Sequence, residues 1–138
     1  MTQAPRVGLF AVLHASGVLE SRTELKLAEV GLSLPKLAAL RRLTDAGGSL
    51  PLGQLAERLA CVKSNVTQLV DRLEADGLVS READPNDRRS RLAVLTDAGR
   101  RAYARGSEIH QRTERELFSA LTPQEAEQLH TLLAKLEQ

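Results

Sequence analysis

The sequence predicts a mainly α chain with a small β-hairpin wing, and three observations predict it. Across Leu52 to Gly99, two short helical periodicities stand a few residues apart: Leu52, Leu55, Ala56 and Leu59, then Val66, Leu69, Val70 and Leu73. Gly77 closes the second, as glycine commonly does just past a helix end. Two β-like runs follow, Leu78 to Arg81 and Arg91 to Leu95, around a charged tip, Asp84-Pro85-Asn86-Asp87-Arg88-Arg89. Two short helices, a tight turn and a charged hairpin make a winged helix-turn-helix, a shape suited to duplex DNA. Further helices flank it at both ends of the chain.

A chain of 138 residues can bury one real core. Aromatic residues are only 2%, so Leu, Val and Ala must fill that core, which favours helices packing on helices. The net charge of +1 does not mark a nucleic-acid binder, so any DNA contact has to come from local clustering. Arginines do gather at Arg88, Arg89 and Arg91. The single cysteine excludes an intramolecular disulfide framework and a cysteine-based zinc site. It also fits a reducing compartment, and a cytoplasmic location is expected. The apolar run Val7 to Leu13 is short and ends at His14, so it reads as mature structure rather than a signal peptide. No run is long enough to span a membrane.

Taken in order, residues 1 to 5 read as frayed. Arg6 to Val30 forms a long, moderately apolar helix with Leu9, Leu13, Ser16, Leu19 and Leu27 near one side, although Gly8 and Gly17 weaken it. Ser33 is an N-cap with Pro35 in the first turn, where a missing N–H does no harm. The helix it opens runs to about Ala46, buries Leu37, Leu40 and Leu43, and stops at Gly47-Gly48. Ser49 to Leu52 suits a short third strand beside the wing. The first helix of the DNA-binding unit spans about Leu52 to Ala60, with Pro51 where a capping Ser or Thr is usual. Cys61-Val62 makes the turn, and the second helix spans about Lys63 to Asp76. After the hairpin, Thr96 caps a helix from about Asp97 to Ala120 with a thin stripe of Ala98, Ala102, Ile109, Thr113 and Leu117. Thr122-Pro123-Gln124-Glu125 is a strong capping signature for a last helix carrying Leu129, Leu132, Leu133 and Leu136.

The faces of the second helix separate at 100° per residue. Val66, Leu69, Val70 and Leu73 point inward. Ser64, Thr67, Gln68 and Asp71 point outward, with Asn65 and Arg72 on one flank and Lys63 on the other. Hydroxyls and amides near a helix N-terminus can hydrogen-bond base edges, and that end of the helix enters the major groove. An ordinary polar surface has the same composition; the position after a turn and before a wing favours the DNA reading. The first helix and the last two carry apolar stripes that one small core cannot easily bury. They predict packing against a second copy of the chain, and a two-fold dimer presents two recognition helices to a palindromic operator. The expected division is residues 33–96 for the winged unit and 6–31 with 97–138 for dimerisation.

At this point the sequence resembles the MarR family of bacterial and archaeal transcription regulators. The motifs are LAERLACVKSNVTQLVDRLEADGLVSR and DPNDRRSRLAVLTDAG. The second holds that family's Asp-x-Arg wing pattern as Asp87-Arg88-Arg89, followed at the family's spacing by Leu95-Thr96 and Gly99. GLSLPKLAALRRL and LTPQEAEQLHTLLAKL extend the likeness to nearly the whole chain. The resemblance implies a homodimer whose winged domains hang below a helical dimerisation region. It implies a repressor, in many members released by a small phenolic or other aromatic effector. Arg89 matches the wing arginine that reaches the minor groove, and Asp87 the acid that orients it. Ser64, Asn65, Thr67 and Gln68 match recognition-helix positions that face bases or phosphates. Physics agrees: an arginine suits a narrow, electronegative minor groove, and a carboxylate can hold its long side chain beforehand. Arg88 and Lys63 suit phosphate contacts.

Two departures stand out. Val62 occupies the place of a capping Ser or Asp, and Gln68 that of a frequent arginine, which puts the usual guanine contact in doubt; a glutamine suits adenine better than guanine. Cys61, before the recognition helix, is more simply a small apolar filler than a redox sensor. His14, His110 and His130 lack paired ligand spacing, and neither metal nor cofactor is expected. His14 is more simply a surface or interface histidine than an effector ligand, and Tyr103 and Phe118 are core or dimer contacts. No nucleophile–base pair and no phosphate-cradling glycine loop argues for an enzyme. The expectation is a homodimeric, sequence-specific DNA-binding regulator; the alternative is a winged-helix protein–protein interaction module with no operator.

Overall fold

The computed structural model of the chain describes residues 8–60 and 65–138. Its elements run α1 (Leu9–Ala28), α2 (Leu34–Asp45), β1 (Ser49–Pro51), α3 (Leu52–Arg58), α4 (Val66–Ala75), β2 (Val79–Asp84), β3 (Asp87–Leu95), α5 (Asp97–Leu117) and α6 (Pro123–Leu136). This is the mainly α fold with a hairpin wing that the sequence predicts.

The helix starts follow from side-chain capping. Ser33 Oγ accepts from the Lys36 amide at 3.3 Å, with Pro35 in the first turn. Thr96 Oγ1 accepts from the Gly99 amide at 3.0 Å. Thr122 and Glu125 form a reciprocal capping box: the Thr122 amide donates to Glu125 Oε1 at 2.9 Å and the Glu125 amide to Thr122 Oγ1 at 3.1 Å. Pro51 gives α3 no side-chain cap. The Leu34 amide at the head of α2 also donates to Glu24 Oε1 of α1, which binds the first two helices together.

The core is aliphatic. Leu27, Leu40, Leu43, Leu55, Leu59, Leu73 and Val70 are its largest fully buried side chains, joining α1, α2, α3 and α4. The sheet has the order β1-β3-β2, all antiparallel. Ser49 pairs with Val94, so the predicted third strand is present. Helix α5 leaves the wing, enters the core through buried Ala102 and packs along α1 and α2, while β2 lies along α4.

Several expectations need correction. The two main wing strands are longer than their apolar runs: they extend to Asp84 and from Asp87, leaving Pro85-Asn86 as the turn. Backbone pairing continues through charged residues that carry no hydrophobic alternation, with a register shift at Ala83/Asp84. In α1, Thr23 and Leu27 are buried, whereas Leu9 and Leu13 are exposed, so the stripe finds no partner in its first half within one chain. Helix α3 ends at Arg58 and α5 at Leu117, each short of the predicted end.

Candidate nucleic-acid interface

Helix α4 opens at Val66, later than the predicted Lys63. Asn65 is its N-cap, and Asn65 Oδ1 accepts from the Gln68 amide at 3.3 Å. Asparagine is among the strongest caps and Val62 among the weakest, so the chain enters the helix where a cap exists. The pattern Asn65-x-x-Gln68 was a readable signal of that start. Asn65 therefore has a backbone duty as well as an exposed position. The predicted site residues Lys63 and Ser64, with Cys61 and Val62, lie outside the described residues.

Leu69, Val70 and Leu73 seal one face of α4 into the core. That leaves Asn65, Thr67, Gln68 and Arg72 exposed on the other side. Asp71 is exposed as well, but it does not stand free. Arg81, on β2, donates from Nη2 to Asp71 Oδ1 at 2.6 Å and from Nη1 to Glu74 Oε1 at 3.3 Å. The same Nη2 lies 3.5 Å from the Thr67 carbonyl oxygen, and the Arg81 amide donates to Glu74 Oε2 at 3.2 Å. The hydrogen bond that Arg81 donates to Asp71, reinforced by both carboxylate charges, raises the guanidinium pKa above its ordinary value. Sequence reasoning placed Asp71 among the outward residues and missed Arg81, because the pairing joins two elements whose crossing is not written in either.

At the wing, Asp87, Arg88 and Arg89 are exposed. Asp87 Oδ1 accepts from the Arg89 backbone amide at 2.9 Å, and Asp84 Oδ1 accepts from the Asn86 amide at 2.9 Å. Both are side-chain turns two residues on, which shape a tight hairpin end. The expected Asp87 contact to the Arg89 side chain is not made: no ion pair joins them among the described residues. Asp87 fixes the backbone from which Arg89 springs, and the guanidinium is left to solvent.

Lys36 of α2 holds the other end of α4: its Nζ donates to Asp76 Oδ2 at 2.8 Å. Where α2 of the winged unit meets α5, a cleft of about 510 Å³ is lined by Leu37, Ala38, Arg41, Tyr103, His110 and Glu114 among others. A smaller cavity of about 180 Å³ shares Leu34, His110 and Glu114 and reaches Leu19 and Phe118. His14 is exposed on α1 and borders neither. Among the described residues, no cluster of three His, Cys, Asp or Glu is placed to hold a metal ion, and no helix is long and apolar enough to cross a membrane.

Comparison with known proteins places this arrangement. The MarR family profile matches residues 32–90. The chain is 40% identical over 101 residues to the HTH-type transcriptional regulator YkoM of Bacillus subtilis, covering 73% of this chain and 66% of that one, just under two thirds of its length. The crystal structure of a probable transcriptional regulator from Pseudomonas aeruginosa is 32% identical, with a TM-score of 0.82 over 92% of this chain and 94% of that one. The C80S mutant of Escherichia coli MarR, solved with operator DNA, shares the fold at 22% identity, with a TM-score of 0.80 over 91% and 89% of the two chains. On its wing motif, its winged-helix fold and these likenesses, the chain belongs to the MarR family of transcriptional regulators.

Proposed function

We propose that the chain is a homodimeric, sequence-specific DNA-binding regulator, acting as a repressor of genes under a palindromic operator. One observation carries the reading: an exposed neutral-polar helix face and an exposed arginine-bearing hairpin are tied together on one rigid unit. Thr67, Gln68 and Arg72 of α4, with Asn65 at its start, read or position the major groove, and Lys63 and Ser64 belong to the same end. Arg89 enters the adjacent minor groove, Arg88 contacts phosphate, and Asp87 shapes the wing. The operator-bound E. coli relative of the same fold supports this docking. A cytoplasmic location follows from this role.

The dimer rests on apolar surface. Leu9, Phe10, Leu13 and Leu25 of α1 are exposed, as are Leu129, Leu132, Leu133 and Leu136 of α6, and α6 buries no residue within one chain. Large apolar patches of this kind mark association surfaces. A second copy, α1 and α6 against their equivalents, covers them. This assigns the terminal helices (6–31 and 97–138) to dimerisation and 33–96 to DNA. The α2–α5 cleft, with Tyr103 and His110 in its wall, suits a small aromatic or phenolic effector whose binding releases the operator.

Selection of genomic fragments with the purified protein, followed by gel shift, tests the reading. A preferred palindromic fragment is expected, and Arg89→Ala is expected to weaken it about tenfold with the dimer intact. Equal affinity for all fragments, with a partner protein retained instead, would make the winged unit a protein–protein module.

A further inference from the structure

We propose that Arg81 is the positioning residue that locks the wing to the recognition helix and so sets the spacing at which one subunit meets two adjacent grooves. The inference rests on the DNA-binding reading above. Its side chain is 23% exposed and spans two carboxylates of α4, one helical turn apart, and the Thr67 carbonyl. Its backbone is fixed as well, by the Glu74 hydrogen bond and by pairing opposite Ala93 in the centre of the hairpin. Asp84 and Asp87, at the arginine-bearing tip, close the same ladder three pairs further on. A rotation of the hairpin about α4 therefore has to break the Arg81 contacts first.

The chemistry suits arginine alone. A planar fork reaches two carboxylates at once, which a lysine ammonium on a flexible stem cannot do with the same geometry. The pairing also offsets one of the two negative charges that Asp71 and Glu74 place on the helix that has to approach phosphate. Loss of Arg81 thus has two separable effects, a loosened wing and bared negative charge.

The test uses the full-length dimer and the tightest genomic fragment, read by two footprints. Methylation protection reports the major groove, and hydroxyl-radical cleavage reports wing protection of the minor groove. For Arg81→Met, wing protection is expected to need about threefold to tenfold more protein than for the parent, with major-groove protection moving less. The triple variant Arg81→Met/Asp71→Asn/Glu74→Gln removes the bared charge but not the looseness, so its wing protection is expected to stay weak. Arg81→Lys is expected to rescue in part, and it stands in should Arg81→Met fail to fold by circular dichroism. Full recovery in the triple variant would reduce Arg81 to charge neutralisation and overturn the proposal. So would equal losses in both grooves, or unchanged footprints. A wild-type dimer that protects no fragment would overturn the DNA-binding reading itself, a result separable from these.

Discussion

Gly99 is the position where one methyl group should do the most damage. It lies buried in the first turn of α5, and a Cβ built there falls 2.1 Å from the Leu78 carbonyl oxygen and 3.1 Å from its carbon. Both atoms are backbone, so no side chain can swing away; α5 and the start of the wing have to part by about 1 Å. That movement strains the joint at which the Thr96 amide donates to the Leu78 carbonyl at 3.1 Å and Thr96 Oγ1 donates to the Gly77 carbonyl at 2.7 Å. Overpacking typically costs about 1–3 kcal/mol, and weakening one hydrogen bond adds about 1 kcal/mol. Better helix propensity returns up to about 1 kcal/mol. The net for Gly99→Ala is a loss of about 1–3 kcal/mol, or about 3–10 °C in Tm for a chain of this size. Thermal unfolding followed by circular dichroism measures it. Gly53→Ala is the control: Gly53 is exposed in the first turn of α3 with nothing within 4 Å of its Cβ, and should gain about 0.5–1 kcal/mol. A Gly99→Ala protein as stable as the Gly53→Ala protein would refute the argument that backbone contact fixes α5 to the wing.

Further outcomes follow from the interface. Arg88→Ala should weaken binding evenly across sequences and reduce the salt slope of log affinity by about 1; a sequence-dependent loss would move Arg88 to base readout. Gln68→Ala should cost about 1–3 kcal/mol on the preferred operator and little on random DNA, as compared by competition gel shifts. Uniform losses would make Gln68 a backbone contact. Leu133→Asp with Leu136→Asp should shift the proposed dimer towards monomer in sedimentation equilibrium, since each leucine covered on association contributes about 1.5–3 kcal/mol. An unchanged dimer would remove α6 from that interface.

What the sequence made legible was local. Ser33, Thr96 and Thr122 each announce a helix within four residues, and all three cap as read. The alternation of buried and exposed positions in α4 follows from period alone. What stayed hidden depends on a partner distant in sequence. Charged Glu82, Asp84 and Asp87 show no strand pattern, because pairing across the hairpin, not burial, extends those strands. Arg81 looks like one more surface arginine until β2 is laid against Asp71 and Glu74. Gly99 stands in the sequence only as part of the wing motif and Gly106 carries no signal there, whereas each is buried at a close approach, Gly99 against the Leu78 carbonyl and Gly106 against the Leu32 and Leu37 side chains. The start of α4 was misplaced for a different reason: Asn65 was weighed as a surface flank and not as a cap. Of the candidate interface, Asn65, Thr67, Gln68, Arg72 and the wing tip are exposed as the pattern implies. The role of Asp87 towards the Arg89 backbone needed coordinates.

The grip of Lys36 on Asp76 makes the far end of α4 a pivot. Ten residues of helix are about 15 Å long, so a tilt of about 10° around that end sweeps the opposite tip by about 2.5 Å. The rise between neighbouring base pairs is about 3.4 Å. A tilt of that size would carry Thr67 and Gln68 about two thirds of the way from one base pair to the next, and the buried Leu69, Val70 and Leu73 are what hold the helix against it.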